Sequence, residues 1–183
     1  MVRRLIIGPG AAAVLVITCL VGSHVAQAAP RGASCQLKGS ATISPGLTTA
    51  NATESITLSG VTLTGCRSGS ATAPNTKVIT GSVTTSPNPV TATASCARGN
   101  LALSATIQWS NGQTTTATVT TKGVAANQAI TGKVTSSTNP ALAAGDTLVG
   151  DVVFRPTTTA QNCVKVPVTA VTFQGALVSG SPK

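Results

Sequence analysis

The chain has 183 residues, of which 42% are hydrophobic and 2% aromatic, and twelve basic against three acidic residues give it a formal charge of +9. Tyrosine is absent, and the single histidine, His24, lies near the amino terminus. Acid–base catalysis and metal binding at neutral pH rely mostly on His, Asp, Glu and Cys side chains. This composition disfavours an enzyme, and we expect no catalytic, metal-binding or cofactor-binding residues.

Residues 1–28 have the pattern of an export signal. Arg3-Arg4 precedes an apolar run from Leu5 to Val21, and Ala26-Gln27-Ala28 fits an A-x-A cleavage site. A retained membrane anchor is the alternative, because the run approaches the length that spans a bilayer. The small residues at the end of the run favour cleavage. The sequence therefore predicts a secreted or cell-surface protein with one domain at 29–183 and no membrane span after cleavage.

Beyond this leader the apolar residues alternate with a period of two, as in Leu101, Leu103, Ala105 and Ile107. This period is typical of half-buried strands, and capped helix-forming runs are missing. The predicted strands are 35–43, 54–66, 76–84, 90–96, 101–110, 113–121, 129–135, 147–155 and 163–173. About nine short strands separated by frequent turn residues indicate a sandwich or a barrel.

The second predicted strand contains a break in this period. Ile56 and Leu58 share one face, but Val61 and Leu63 are one residue out of phase with them. One extra residue in a strand is the mark of a β-bulge, which we predict at Ser59-Gly60.

The segment Ser110-Asn111-Gly112 predicts a hairpin. A two-residue turn would place Val119 on the wrong face, whereas a three-residue loop pairs Leu103 with Val119 and Ala105 with Ala117. We therefore predict a type I turn with Gly112 in the left-handed region as a G1 bulge.

Four cysteines follow the leader: Cys35, Cys66, Cys96 and Cys163. An even number in an exported chain indicates two disulfides, and four cysteines permit three pairings. Cys35 opens one predicted strand and Cys66 closes the next, so a hairpin would bring both to the same end. We favour Cys35–Cys66 on this ground, and Cys96–Cys163 by elimination.

Three residues are candidates for a site. Asp146 and Asp151 are the only acidic residues close in sequence, but their odd separation places them on opposite faces of a regular strand, which favours turn and edge roles. Trp109, beside the predicted hairpin, is a candidate ligand contact that could stack on a sugar. A lone Trp at this position more often caps the core.

The basic residues are scattered along the chain rather than clustered, and the few aromatic residues provide no stacking surface. Nucleic-acid binding is therefore not expected. The positive charge of an exported protein instead favours an anionic cell-envelope polymer, or a surface protein, as the partner.

Several short motifs carry a family resemblance. They are Ser34-Cys35, Ile43-Ser44-Pro45-Gly46-Leu47, Leu63-Thr64-Gly65-Cys66, Ile107-Gln108-Trp109-Ser110-Asn111-Gly112 and Gly132-Lys133-Val134-Thr135-Ser136. Together they resemble small exported β-sandwich proteins of actinobacteria, which are largely uncharacterised. The resemblance implies an immunoglobulin-like antiparallel sandwich and an exported location, and it carries no catalytic residues.

A fainter likeness, in composition and in the Ala41 to Leu47 opening, is to the apoproteins of enediyne chromoproteins. Those proteins have short-range disulfides, whereas Cys35 and Cys66 are 31 residues apart. We expect an exported, non-enzymatic binding or cell-surface interaction protein of unknown ligand. The alternatives are a carrier of an apolar small molecule in a cleft of the sandwich and, second, a secreted hydrolase.

Overall fold

The structure is a computed structural model that describes residues 33–68, 79–124 and 126–180, so the predicted leader lies outside the described residues. Nine antiparallel strands account for most of these residues. They are β1 Ala33–Leu47, β2 Ala52–Ser68, β3 Ile79–Ser86, β4 Val90–Ala94, β5 Arg98–Trp109, β6 Thr114–Val124, β7 Asn127–Ser137, β8 Thr147–Pro156 and β9 Val168–Gly180. The all-β prediction is confirmed, although residues 76–78 of the third predicted strand are not described.

The strands close into an antiparallel barrel with eight strand positions. Strands β5 to β9 pair in chain order, β9 pairs with β1, and β1 pairs with β2. Strands β3 and β4 lie end to end and share the position between β2 and β5. Neighbours in space are thus neighbours in sequence, which is an up-and-down arrangement.

The immunoglobulin-like sandwich expected from the sequence is wrong. A sandwich has two sheets with separate edges, but β9 here pairs with β8 on one side and with β1 on the other. The β1–β9 ladder runs from the Ser34–Val178 pair to the Leu47–Val168 pair, so it joins the two ends of the sheet along nearly their full length. The apolar faces therefore surround one interior.

Two β-bulges coil β2 against β1. Gly60-Val61 lies opposite Gly39, and Gly65-Cys66 lies opposite Cys35. Gly60 and Gly65 have φ angles of 59° and 61°, a left-handed conformation that glycine adopts without a steric penalty. The first bulge is confirmed but lies one residue later than the predicted Ser59-Gly60, since Ser59 still pairs with Ser40, and the second bulge was missed. Both bulges increase the local twist that a closed barrel needs.

The predicted hairpin between β5 and β6 is confirmed in turn and register. Leu103 pairs with Val119 and Ala105 pairs with Ala117. Gly112 has a φ of 82°, and its N–H donates to the Trp109 carbonyl oxygen at 3.0 Å. The three-residue loop therefore keeps the apolar residues of both strands on the inner face.

The last strand begins later than predicted. Residues 163–167 belong to a loop rather than to β9, because the Asn162 Oδ1 accepts hydrogen bonds from the backbone N–H groups of Val164, Lys165 and Val166. This side-chain turn takes the place of the first part of the predicted strand 163–173. No helix in the described ranges is long and apolar enough to cross a membrane.

Candidate functional site

The barrel interior contains two adjoining apolar compartments. The upper compartment has a volume of about 170 Å³ and lies at the end of the barrel that carries Cys96 and Cys163. The middle compartment has a volume of about 100 Å³. Leu58, Leu101, Thr121 and Phe154 line both compartments, so the two spaces meet at these side chains.

The compartments arise from the sizes of the inward residues. On β5 the inward side chains shorten from Leu101 and Leu103 to Ala105, which pairs with Ala117 of β6. These small residues leave the centre of the barrel unfilled, and Leu101 and Leu103 stay only half-buried although they point inward. Interiors of folded proteins are usually close-packed. An apolar space in a barrel of this width is therefore a candidate binding site.

Phe154 forms part of the wall at the junction of the compartments. Its ring lies 5.5 Å from the ring of Phe173 between centroids, with an angle of 53° between the ring planes. Tilted pairs at this distance are a favourable aromatic contact. The wall at this point is therefore held by a side-chain contact as well as by the β8–β9 ladder.

The polar residues that line the two compartments are few and uncharged. Ser95, Asn100, Thr121 and Gln128 line the upper compartment together with apolar side chains. Ser95 Oγ accepts hydrogen bonds from the backbone N–H groups of Ala97 and Arg98 at 3.3 and 3.2 Å. Among the described residues that line either compartment, none has a carboxylate, an imidazole or an amine. These lining residues can bind an apolar ligand, but they supply no acid–base pair for catalysis.

Trp109 lies at the opposite, lower end of the barrel and lines neither compartment. The side chain is 2% exposed and packs in the buried cluster that contains Cys35, Cys66 and Leu142. Its Nε1–H donates to Thr115 Oγ1 at 2.9 Å. The structure thus places this candidate ligand contact in the core that closes the lower end.

The acidic residues do not form a paired site. Asp146 is buried in the turn before β8, where its Oδ2 accepts from the Ala143 N–H at 2.8 Å, whereas Asp151 is exposed on β8. Glu54 is 1% exposed and accepts from the Gly46 N–H at 3.0 Å. No group of three His, Cys, Asp or Glu residues in the described part of the chain could hold a metal ion.

Two disulfides join the pairs that the sequence favours. Cys35–Cys66 links β1 to β2 at the lower end, and Cys96–Cys163 links the β4–β5 turn to the loop before β9. The Cys96 N–H also donates to the Thr48 carbonyl oxygen at 2.8 Å. Three loops are therefore tied together across the upper end of the barrel.

The wall of the barrel has a gap between β4 and β5. The β3–β5 ladder ends at the Ser86–Ser104 pair, and β4 pairs with β5 only through Ala94 and Gly99. Residues 100–103 of β5 consequently have no ladder partner on this side. Inward-facing Leu101 and Leu103 belong to this unpaired segment.

The break between β3 and β4 explains the gap. Pro87 and Pro89 lack the backbone N–H that a ladder needs. Between them, the Asn88 carboxamide accepts from the Leu58 N–H and donates to the Leu58 carbonyl oxygen, both at 3.0 Å. This side chain replaces a ladder pair on the β2 side. It holds the junction of β3 and β4 to β2 and leaves the β5 side open.

An outer groove of about 710 Å³ lies over the gap. Thr91, Thr93, Ala102 and Lys122 line it on the outside. Ala92, Asn100, Leu101 and Thr121 line both the groove and the upper compartment. The gap is therefore where the outer surface and the cavity approach each other.

Comparison with protein-family models, with curated proteins and with solved structures finds no match. The resemblance to exported actinobacterial proteins stays an expectation. Sequence reasoning missed the cavity residues, because Leu58, Leu101 and Phe154 have the pattern of ordinary core residues.

Proposed function

We propose that the protein is a non-enzymatic carrier that binds one small apolar molecule inside the barrel. The observation that carries the proposal is the pair of adjoining apolar compartments. An eight-stranded barrel has an interior that side chains can just fill or that can hold one small ligand. The half-buried state of Leu101 and Leu103 supports the second case.

The size of the compartments limits the ligand. An apolar cavity of about 150 Å³ stays dry and binds a molecule the size of benzene. Pockets for drug-sized ligands range from about 300 to 1,000 Å³. The upper compartment of about 170 Å³ suits a single ring or a short acyl chain, and the middle compartment extends it by about 100 Å³.

Export remains part of the proposal. The two disulfides suggest an oxidising environment, which agrees with the leader pattern of residues 1–28. The positive charge of the chain would favour retention at an anionic cell envelope. In this setting a carrier would take up or release an apolar molecule outside the cytoplasm.

A pair of neighbouring substitutions on β6 tests the proposal. Val119 lines the middle compartment, whereas the adjacent Thr118 is exposed on the outer face. Val119→Phe places a ring in the cavity, so we expect it to weaken binding of the neutral fluorescent probe naphthalene at least tenfold. Thr118→Phe is the matched control and should bind the probe like the parent protein.

Fluorescence titration measures the two affinities, and thermal unfolding checks that both variants are folded. Native mass spectrometry of protein from its own culture should in addition find a retained small molecule. Equal probe affinity in the parent protein and in a folded Val119→Phe variant would place the probe outside the barrel and contradict the carrier function.

A further inference from the structure

We propose that the ligand is a medium-chain fatty acid that enters the barrel through the gap between β4 and β5 and keeps its carboxylate beside Lys122. This inference rests on the proposed carrier function and specifies the ligand class and the route. Three features support it: the tied upper end, the open side wall, and the charge at the mouth of the gap.

The route of entry follows from a comparison of two possible entrances to the cavity, the upper end of the barrel and the gap between β4 and β5. At the upper end, the Cys96–Cys163 disulfide and the hydrogen bond from Cys96 to Thr48 tie three loops together. At the gap, residues 100–103 of β5 have no ladder hydrogen bonds to break on the β4 side. Ala92, Leu101 and Thr121 line both the outer groove and the upper compartment there. A flexible chain therefore meets a smaller barrier at the gap than at the end.

The headgroup follows from the charges around the groove. Among the described residues that line the groove, Lys122 is the only charged one. Its pairing partner across β5 and β6 is Asn100, which lines both the groove and the upper compartment. An ammonium group and a carboxamide are both donors to a carboxylate, and a charge-assisted hydrogen bond is stronger than a neutral one.

The lack of charged lining residues in the two compartments determines where the headgroup of the ligand can lie. Burial of an unpaired carboxylate costs several kcal/mol or more, and the described lining of the compartments contains no cation. An anionic amphiphile must therefore leave its headgroup at the mouth and place only its chain inside. Lys122 lies at that mouth and is exposed, so its ammonium group can reach the bound headgroup while both stay hydrated.

The length of the chain follows from the volume. An apolar cavity of about 150 Å³ holds benzene, which has six carbons. On that scale the upper and middle compartments, of about 170 and 100 Å³, together accommodate a chain of roughly ten carbons. Decanoate, whose carboxyl carbon would stay in the groove, matches this space.

Calorimetric titration with decanoate and with 1-decanol tests the headgroup, since the two probes share a chain and differ in charge. We expect Lys122→Ala to weaken decanoate binding roughly two- to fivefold, the contribution of an exposed ion pair, and to leave decanol binding nearly unchanged. Lys133→Ala is the matched control, because Lys133 is also exposed on a strand but does not line the groove. It should change neither affinity.

Stopped-flow association of decanoate tests the route. Ala92 lies at the junction of groove and cavity, so Ala92→Leu should slow association at least fivefold. Ala126→Leu crowds the upper end instead and should slow association less. Since Ala92 is buried, Ala102→Trp provides a second block from the exposed rim of the groove, and we expect it to slow association as well.

The outcomes separate this inference from the proposed function. One outcome is that decanol binds, decanoate binds no better, and Lys122→Ala leaves the affinity for decanoate unchanged. The carrier function then stands and the fatty acid is refuted. If Ala126→Leu slows association while both gap variants leave it unchanged, the ligand enters at the end. If neither ten-carbon probe binds while the neutral aromatic probe still does, the fatty acid is refuted and the carrier function stands. If none of the three probes binds, both proposals fail.

Discussion

Replacement of Trp109 by Ala tests the reading of the lower end of the barrel as a closed core. The indole is 2% exposed, packs beside the Cys35–Cys66 disulfide, and donates to Thr115 Oγ1. Truncation of a fully buried Trp to Ala typically costs about 3–5 kcal/mol. We expect a loss in this range for Trp109→Ala, because the substitution leaves a cavity and also removes a buried hydrogen bond.

The hydrogen bond accounts for a separable part of this loss. Thr115→Val removes the acceptor and leaves Nε1–H unsatisfied in the core, which costs about 1–3 kcal/mol. The same hydroxyl lies 2.8 Å from Ser137 Oγ, so part of the cost comes from that second contact. In a double-mutant cycle with Trp109→Phe, we expect a coupling of about 0.5–1.5 kcal/mol between positions 109 and 115.

Urea unfolding followed by far-ultraviolet circular dichroism measures these losses, because Trp109 is the only Trp and its fluorescence is lost in the variant. For a domain of this size, Tm falls by about 2–4 °C per kcal/mol. The affinity for a neutral apolar probe should stay close to that of the parent protein, since the indole lines neither compartment. A stability loss below about 1 kcal/mol, or a folded variant that no longer binds the probe, would refute the assignment to the core.

Two further substitutions test the elements that shape the site. Asn88→Ala removes the two side-chain bonds to Leu58, and we expect it to lower the free energy of unfolding by about 1–2 kcal/mol in urea titrations; an unchanged midpoint would show that the junction of β3 and β4 is held in another way. Joint replacement of Cys96 and Cys163 by Ala should cost about 2–5 kcal/mol, because the disulfide closes a long loop. A loss below 1 kcal/mol in thermal unfolding would contradict the role of this disulfide in tying the upper end.

The local structure of the barrel depends on short segments of sequence, so strands, bulges and turns could be predicted. The period of two in β5 depends only on which face of a strand is buried. In β2, a break in the same period at Ser59-Gly60 predicted a bulge, because one extra residue reverses the faces of the strand beyond it. The register of the β5–β6 hairpin followed from the same rule, since Val119 reaches the inner face in only one of the two turn types.

Closure of the sheet was not predictable in the same way. The pairing of β1 with β9 joins residues more than 100 positions apart, and the alternation of Cys35, Leu37 and Ala41 is the same whether their strand faces a second sheet or a barrel interior. The predicted number of strands is right, but the sequence did not show that β3 and β4 share one position in the sheet. The cavity was missed since it depends on the space that Ala105 and Ala117 leave, which no single segment reveals.

The gap leaves residues 100–103 of β5 without ladder partners on the β4 side, and an open strand edge favours pairing with other chains. A lysine beside such an edge has a second role, since an exposed charge opposes that pairing. The two roles of Lys122 predict different effects of its removal. If it only protects the edge, Lys122→Ala should increase self-association in light scattering and leave decanoate affinity unchanged. If it holds the headgroup, decanoate affinity should fall in protein that remains monomeric, and increasing salt should weaken decanoate binding by the parent protein more than by the variant.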